Sequence, residues 1–140
     1  IMMDADLLIN QSVIDQIINF NKKNFFVVRK EIHADEMIVL LKNKIVIELS
    51  QNPNTKKLKF DQIVESVGIM KFSRIAAKNL IEEINILFKN GNLNQYYEAA
   101  VNNILKKIDF SILQLNDNSI VVELDTIEDV TNLTKLGLAD

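Results

Sequence analysis

The sequence of 140 residues contains no cysteine and no tryptophan, and only one histidine, one proline and three glycines. Without cysteine there can be no disulfide, no thiolate nucleophile and no zinc–sulfur site, and a reducing compartment is permitted, so the cytoplasm is the expected location. No apolar run approaches the roughly 18 residues that read as a membrane span, and no basic region precedes a signal-like core, so no membrane partner is expected. Positive charge is not in excess either. Sixteen Lys and Arg against 19 Asp and Glu leave a net charge of −3 and a pI near 5.2. That balance offers no general attraction to a phosphate backbone, so nucleic acid is not an expected partner. What is present is a composition 48% hydrophobic and 25% charged, that of a packed globular chain, and its length suits one domain over 1–140.

Alternating patterns predict a layered α/β domain. Ile1, Met2 and Met3 read as the last residues of a buried strand whose beginning lies upstream. Ser12 and Asp15 have the spacing of a capping box for a helix with Val13, Ile14, Ile17 and Ile18 on its apolar face. Residues 25–28 form a compact Phe/Val run expected as a strand, and 37–41 with 45–49 flank a Lys-Asn-Lys turn suited to a hairpin. A polar, proline-bearing stretch over 50–59 predicts an exposed loop, and 67–70 another short strand. Ser73 is placed to cap a helix carrying Ala77, Leu80, Ile81, Ile84, Leu87 and Phe88 at helical spacing, closed by Gly91. A second helix is expected over 94–107, burying Tyr97, Ala100, Val101, Ile104 and Leu105. Strands at 110–115 and 120–124 flank an Asn-Asp-Asn-Ser turn, and Thr126 with Asp129 caps a last helix ending before Gly137.

Asp4 and Asp6 follow one apolar strand and Asp125 follows another. Ligands of layered α/β folds collect beyond the carboxyl ends of strands, and three hard oxygen donors there suit a divalent cation such as Mg2+. An aspartate between strand and helix serves equally as a cap or turn residue, although Thr126 can already cap its helix. Asp4 and Asp6 could likewise be a solvated chain end, so spacing alone leaves both readings open. His33 lies in a polar segment and is expected at the surface.

Four stretches carry a resemblance: MDADLLINQSVIDQI from Met3, ESVGIMKFS from Glu65, GNLNQYYEAAV from Gly91 and NSIVVELDTIEDV from Asn118. Together and in order they resemble the MobA-like superfamily of sugar-phosphate and phosphocholine nucleotidyltransferases, nearest in character to phosphocholine cytidylyltransferase. The resemblance implies the C-terminal half of a Rossmann-like nucleotidyltransferase fold, a mixed sheet with flanking helices. It implies an NTP, with CTP expected, attacked at its α-phosphate by a small phosphorylated acceptor, and Mg2+ as cofactor. Asp4 and Asp125 match the family's catalytic metal-binding aspartates, with Asp6 beside Asp4 as a further ligand. Tyr96, Tyr97 and Glu98 match the acceptor-side helix, where an aromatic face and a carboxylate could hold a quaternary ammonium group. Gly68 matches the family's Val-Gly strand against which the acceptor lies; a packing glycine and a core tyrosine are the plain alternatives.

The sequence also departs from the family's pattern. The Gly-rich, basic loop that cradles the triphosphate has no counterpart in it, so the resemblance implies a fragment that needs an N-terminal half supplied separately or that assembles as a homo-oligomer. Asn52 stands before Pro53 where relatives carry a phosphate-neutralising lysine; Lys56 or Lys57 could substitute, or form a solvated surface pair. The alternative from another class is a non-catalytic α/β interaction module, a decayed remnant of such an enzyme.

Overall fold

The computed structural model describes residues 1–33, 36–53, 55–91 and 97–135. Its elements run β1 (Met2–Met3), β2 (Leu7–Ile9), α1 (Gln11–Asn19), β3 (Phe25–Arg29), β4 (Ile38–Lys42), β5 (Ile45–Ser50), β6 (Gln62–Lys71), α2 (Arg74–Lys89), α3 (Glu98–Leu105), β7 (Ser111–Gln114), β8 (Val121–Glu123) and α4 (Ile127–Lys135). The architecture is α/β, a mixed sheet with flanking helices. Five strands lie in the order β5-β4-β6-β3-β7, and β1 adds to β6 as a sixth. Among the described residues only β3 and β7 run parallel; the other pairs of this sheet are antiparallel.

The expected strand at 67–70 is in fact the C-terminal part of a ten-residue central strand. Its first half escapes pattern reading because Glu65 and Ser66 interrupt the apolar run, yet both are buried. One edge of β6 carries β4 and then β1, and the other carries β3. Between the Phe26–Met70 and Val28–Ser66 pairs the register shifts, and Gly68 there has φ +70°. The strand bulges at Gly68 because only glycine enters that left-handed region without a steric penalty.

Alternation along β3 feeds two cores. Phe26 and Val28 face α2 and α3, packing with Leu80, Ala100, Val101, Ile104 and Phe110. Phe25 and Val27 face α1, packing with Val13, Ile17, Ile69 and Leu113. The Phe/Val run is continuous because both faces of the sheet are covered. Asn43 and Lys44 both have positive φ, the two-residue hairpin turn expected between β4 and β5. Outermost β5 is tied by Asn102 of α3, whose side chain accepts from Leu49 N–H at 2.8 Å and donates to its carbonyl at 2.7 Å.

Of the three helix caps expected from the sequence, two form. Ser73 accepts from Ala76 N–H, and Thr126 and Asp129 cap reciprocally. Gly91, also with positive φ, follows the end of α2 as expected. The first helix differs: Asn10, not Ser12, accepts from Val13 N–H, and Asp15 instead accepts from Gln11. Asn10 wins because its side chain also accepts from Ile120 N–H, joining α1 to the start of β8. Ile14, Ile18, Ile81 and Phe88, expected on buried faces, are exposed, as are Ile1 and Met3 of the strand expected to be buried. A single i, i+4 stripe meets the sheet in α1, and in α2 the buried stripe is Ala76, Leu80 and Glu83. Residues 94–96 at the expected start of the second long helix, and Gly137, lie outside the described residues. The strands on either side of the Asn-Asp-Asn-Ser turn part company, β7 joining the main sheet and β8 pairing with β2.

Phe110 is fully buried and packs edge-on or tilted against Phe26 and Phe72, whereas Phe88 is 56% exposed. Phe110→Ala should therefore cost about 3–5 kcal/mol in denaturant unfolding. Phe88→Ala should cost less than about 0.5 kcal/mol, as expected of a surface position.

Candidate active site

The small β2–β8 ladder sets the first part of the site. Leu7 opposes Glu123, and Leu124 N–H donates to the Asp6 carbonyl at 2.9 Å. Asp6 therefore lies across from the segment that bears Glu123, the last residue of β8, and Asp125 two residues on. Carboxylate oxygens of Asp6, Glu123 and Asp125 all lie within 4.8 Å of one another, and all three side chains are exposed. Three hard oxygen donors at this spacing fit a divalent cation that retains water ligands. This trio differs from the expected Asp4, Asp6 and Asp125. Glu123 takes the place of Asp4, because the ladder register, not the order along the chain, decides which carboxylates meet. Glu123 could have been found from its place two residues before Asp125.

Asp4 instead stands in a neighbouring cleft of about 190 Å³, lined also by Arg29, Glu36, Gly68, Tyr97, Glu98 and Glu123. Its backbone N–H donates to the Gly68 carbonyl at 3.0 Å, and its side chain accepts from the Tyr97 hydroxyl at 3.3 Å. Gly68, Tyr97 and Glu98 thus line one cleft with Asp4; Tyr96 lies outside the described residues. Lys56 and Lys57 are exposed on the connection from β5 to β6, and neither lines the cleft. Glu36 and Arg29 had no motif to mark them.

The cleft is electrostatically strained. Burial raises the Asp4 carboxyl above its ordinary range, the Tyr97 hydrogen bond opposes this, and the charge of Asp6 adds to it. Burial also raises Glu98, which its own backbone N–H partly offsets and Asp4 reinforces; one Glu98 oxygen is buried with no hydrogen-bond partner among the described residues. Desolvation raises Glu123, followed by the charges of Glu36, Asp125, Asp6 and Asp4. Burial and the neighbouring Glu98 and Asp4 hold Tyr97 firmly protonated. Such crowding of like charge disfavours the ionised site and favours any cation that enters it.

Behind the cleft, Glu65 is fully buried in β6. Its Oε1 accepts from Arg29 Nε of the adjacent β3 and forms an ion pair with Arg29 Nη2. Its Oε2 accepts from His33 N–H at 2.6 Å and lies 3.0 Å from His33 Nδ1. His33 is largely exposed, as expected, but it closes the buried carboxylate.

Asp4, Glu98 and Glu123 have higher pKa values folded than unfolded. Their stabilising contribution is therefore full below the ordinary carboxylate range and is lost as pH rises through the raised values. Without a cation, Glu123→Gln should raise Tm at neutral pH by roughly 1–3 °C, since screened like-charge contacts cost a few tenths of a kcal/mol each. The gain should vanish on acidification, which melts recorded against pH would detect. At Gly68 an added Cβ would come within 2.3 Å of an Asp4 oxygen at φ +70°. Gly68→Ala should accordingly cost about 1–3 kcal/mol in denaturant unfolding.

No protein-family profile matches the sequence, and no curated protein matches it. Solved structures do match. The CTP:phosphocholine cytidylyltransferase of Streptococcus pneumoniae superposes with a TM-score of 0.67 at 17% identity, covering 96% of this chain and 55% of that one. The inositol-1-phosphate CTP transferase of T. maritima gives a TM-score of 0.58 at 14% identity, covering 96% and 55%. The nucleoside-diphosphate-sugar pyrophosphorylase of Vibrio cholerae gives 0.59 at 12% identity, covering 81% and 46%. The chain spans about half the length of these structures, and over that span it has the nucleotidyltransferase fold.

Proposed function

We propose that this chain is the acceptor- and metal-binding part of a metal-dependent nucleotidyltransferase, one that joins an NTP to a small phosphorylated molecule and releases pyrophosphate. The observation that carries this reading is the continuity of the carboxylate trio with the cleft. Glu123 belongs to both, so a cation at the trio and a small molecule in the cleft would be neighbours. In such a transfer an acceptor phosphate oxygen bonds to the α-phosphorus of the NTP as the bond to the departing pyrophosphate breaks. The attacking oxygen is already anionic, so no protein nucleophile or general base is required and the protein's task is positioning.

Within this reading Asp6, Glu123 and Asp125 hold Mg2+, with Asp4 close enough for its charge to be felt at Glu123. Bound there, the ion supplies charge neutralisation for the phosphates. Asp4, Tyr97 and Glu98 form the acceptor end, and the crowded carboxylates favour an acceptor with a positive head such as phosphocholine, with CTP as donor. The sequence has only three glycines and no Gly-rich basic stretch, so in this reading triphosphate binding falls to a separately supplied nucleotide-binding half. A cytoplasmic setting, where NTPs are made and used, fits this role.

Titration of phosphocholine into the 15N-labelled chain should shift the Gly68, Tyr97 and Glu98 amides. Mg2+ should bind weakly, its response lost in Asp6→Asn and Asp125→Asn. CTP should bind only once an N-terminal nucleotide-binding half is added. A chain silent to all three ligands, with variants indistinguishable from the parent, would be an α/β interaction module instead.

A further inference from the structure

One end of the sheet is basic, although the chain carries a net charge of −3. An open concavity of about 600 Å³ at the start of β3 is lined by Lys22, Lys23 and Lys71 with Ile18, Phe20 and Phe72, and no Asp or Glu is among its described lining residues. Arg74 and Ile75, both exposed, follow in the first turn of α2. Ile18 is 69% and Ile75 71% exposed. None of these four cations makes an ion pair among the described residues; Lys71 instead stands over the Phe25 ring, 5.5 Å from its centroid. A face of the opposite kind lies on α4. Ile127, 87% exposed, and Val130, also exposed, are three residues apart and share a side of that helix. Glu128 is exposed beside them, and the Asp6, Glu123 and Asp125 trio precedes the helix. We infer that these two faces bind each other between copies of this chain, α4 of one copy seated on the lysine and isoleucine face of the next.

The fold keeps the two faces apart within one chain. β3 runs from Phe25, opposite Lys71, to Arg29, opposite Glu65, a span of about 13 Å at roughly 3.3 Å per residue. The basic face is at the first end. Arg29 lines the cleft with Glu123 at the second, and α4 starts shortly after Glu123, with Ile127, Glu128 and Val130 in its first turn. Their complementarity can therefore be used only between molecules. Lysines gathered without counter-charges repel one another, and an acidic face laid on them relieves the repulsion on both sides. Isoleucines that stand in water on each face are dried in the same step. A small anion would satisfy the lysines but leave Ile18 and Ile75 solvated, whereas α4 supplies an apolar and an acidic partner together. Because two different faces meet, the contact is heterologous, and each copy keeps one free face of each kind until a ring closes. The inference is independent of the transfer reaction, since Ile127, Glu128 and the lysines belong neither to the cleft nor to the trio.

Sedimentation velocity of the full chain over a concentration series tests this. The mass of the parent should rise past that of a dimer as concentration increases, and the association should weaken about tenfold or more between low salt and roughly 0.5 M NaCl, as screening of a charged interface requires. Lys22→Glu/Lys23→Glu damages only the basic face, and Ile127→Ser/Glu128→Gln only the α4 face. All four positions are exposed, so circular dichroism should show both variants folded. Each alone should be monomeric where the parent associates. Mixed in equal amounts they should form a one-to-one dimer, because the intact α4 face of the first seats on the intact basic face of the second and no other intact pair remains. A parent that stays monomeric up to about millimolar concentration, single-face variants that associate as the parent does, or a mixture that stays monomeric would each overturn the inference.

Discussion

Gly68 has no side chain, and the candidate site is arranged around that fact. Its positive φ lets the central strand bulge, and its carbonyl receives the backbone N–H of Asp4. The space where a Cβ would stand is occupied by the Asp4 carboxylate itself. With Asp4 seated there, the chain turns directly into β2, and the β2–β8 ladder sets Asp6 against Glu123 and Asp125. A single backbone conformation thus governs where one carboxylate enters the cleft and where three others gather at its mouth.

The second constraint is electrostatic. Burial and the charge of Asp6 push the Asp4 carboxyl above its ordinary range against the opposing Tyr97 hydrogen bond, and burial with the charges of Glu36, Asp125, Asp6 and Asp4 does the same at Glu123. Local destabilisation concentrated beside a cleft is the pattern expected where a cation completes a site. The Arg29–Glu65–His33 group works in the opposite sense. It satisfies a buried charge fully and holds one guanidinium still beside the acidic wall.

Much of the fold was legible because its signals are local. The Phe/Val run of β3, the positive-φ turn between β4 and β5, the Ser73 cap and the Thr126–Asp129 box each depend on residues a few positions apart. Errors arose where distant partners intervened. Asn10 displaced Ser12 as a cap because the β8 segment supplies it a second hydrogen bond. Glu65 hid the length of β6 because the cation that permits its burial is on another strand. Ile81 and Phe88 have the right spacing for burial, but the surface that α2 presents to the sheet is narrower than its apolar stripe.

By itself the sequence determined the kinds of element, most of their ends, and the fact that aspartates follow two strands, since hydrogen bonds within a few residues and alternating hydrophobicity settle these. Which carboxylates share an ion-sized space, that Glu123 joins them while Asp4 turns to Tyr97, and that Arg29 stands on the cleft wall were decided only by tertiary structure. The physical reason is that strand register and the bulge at Gly68 join segments from opposite ends of the chain, and no short-range pattern encodes the offset at which they pair.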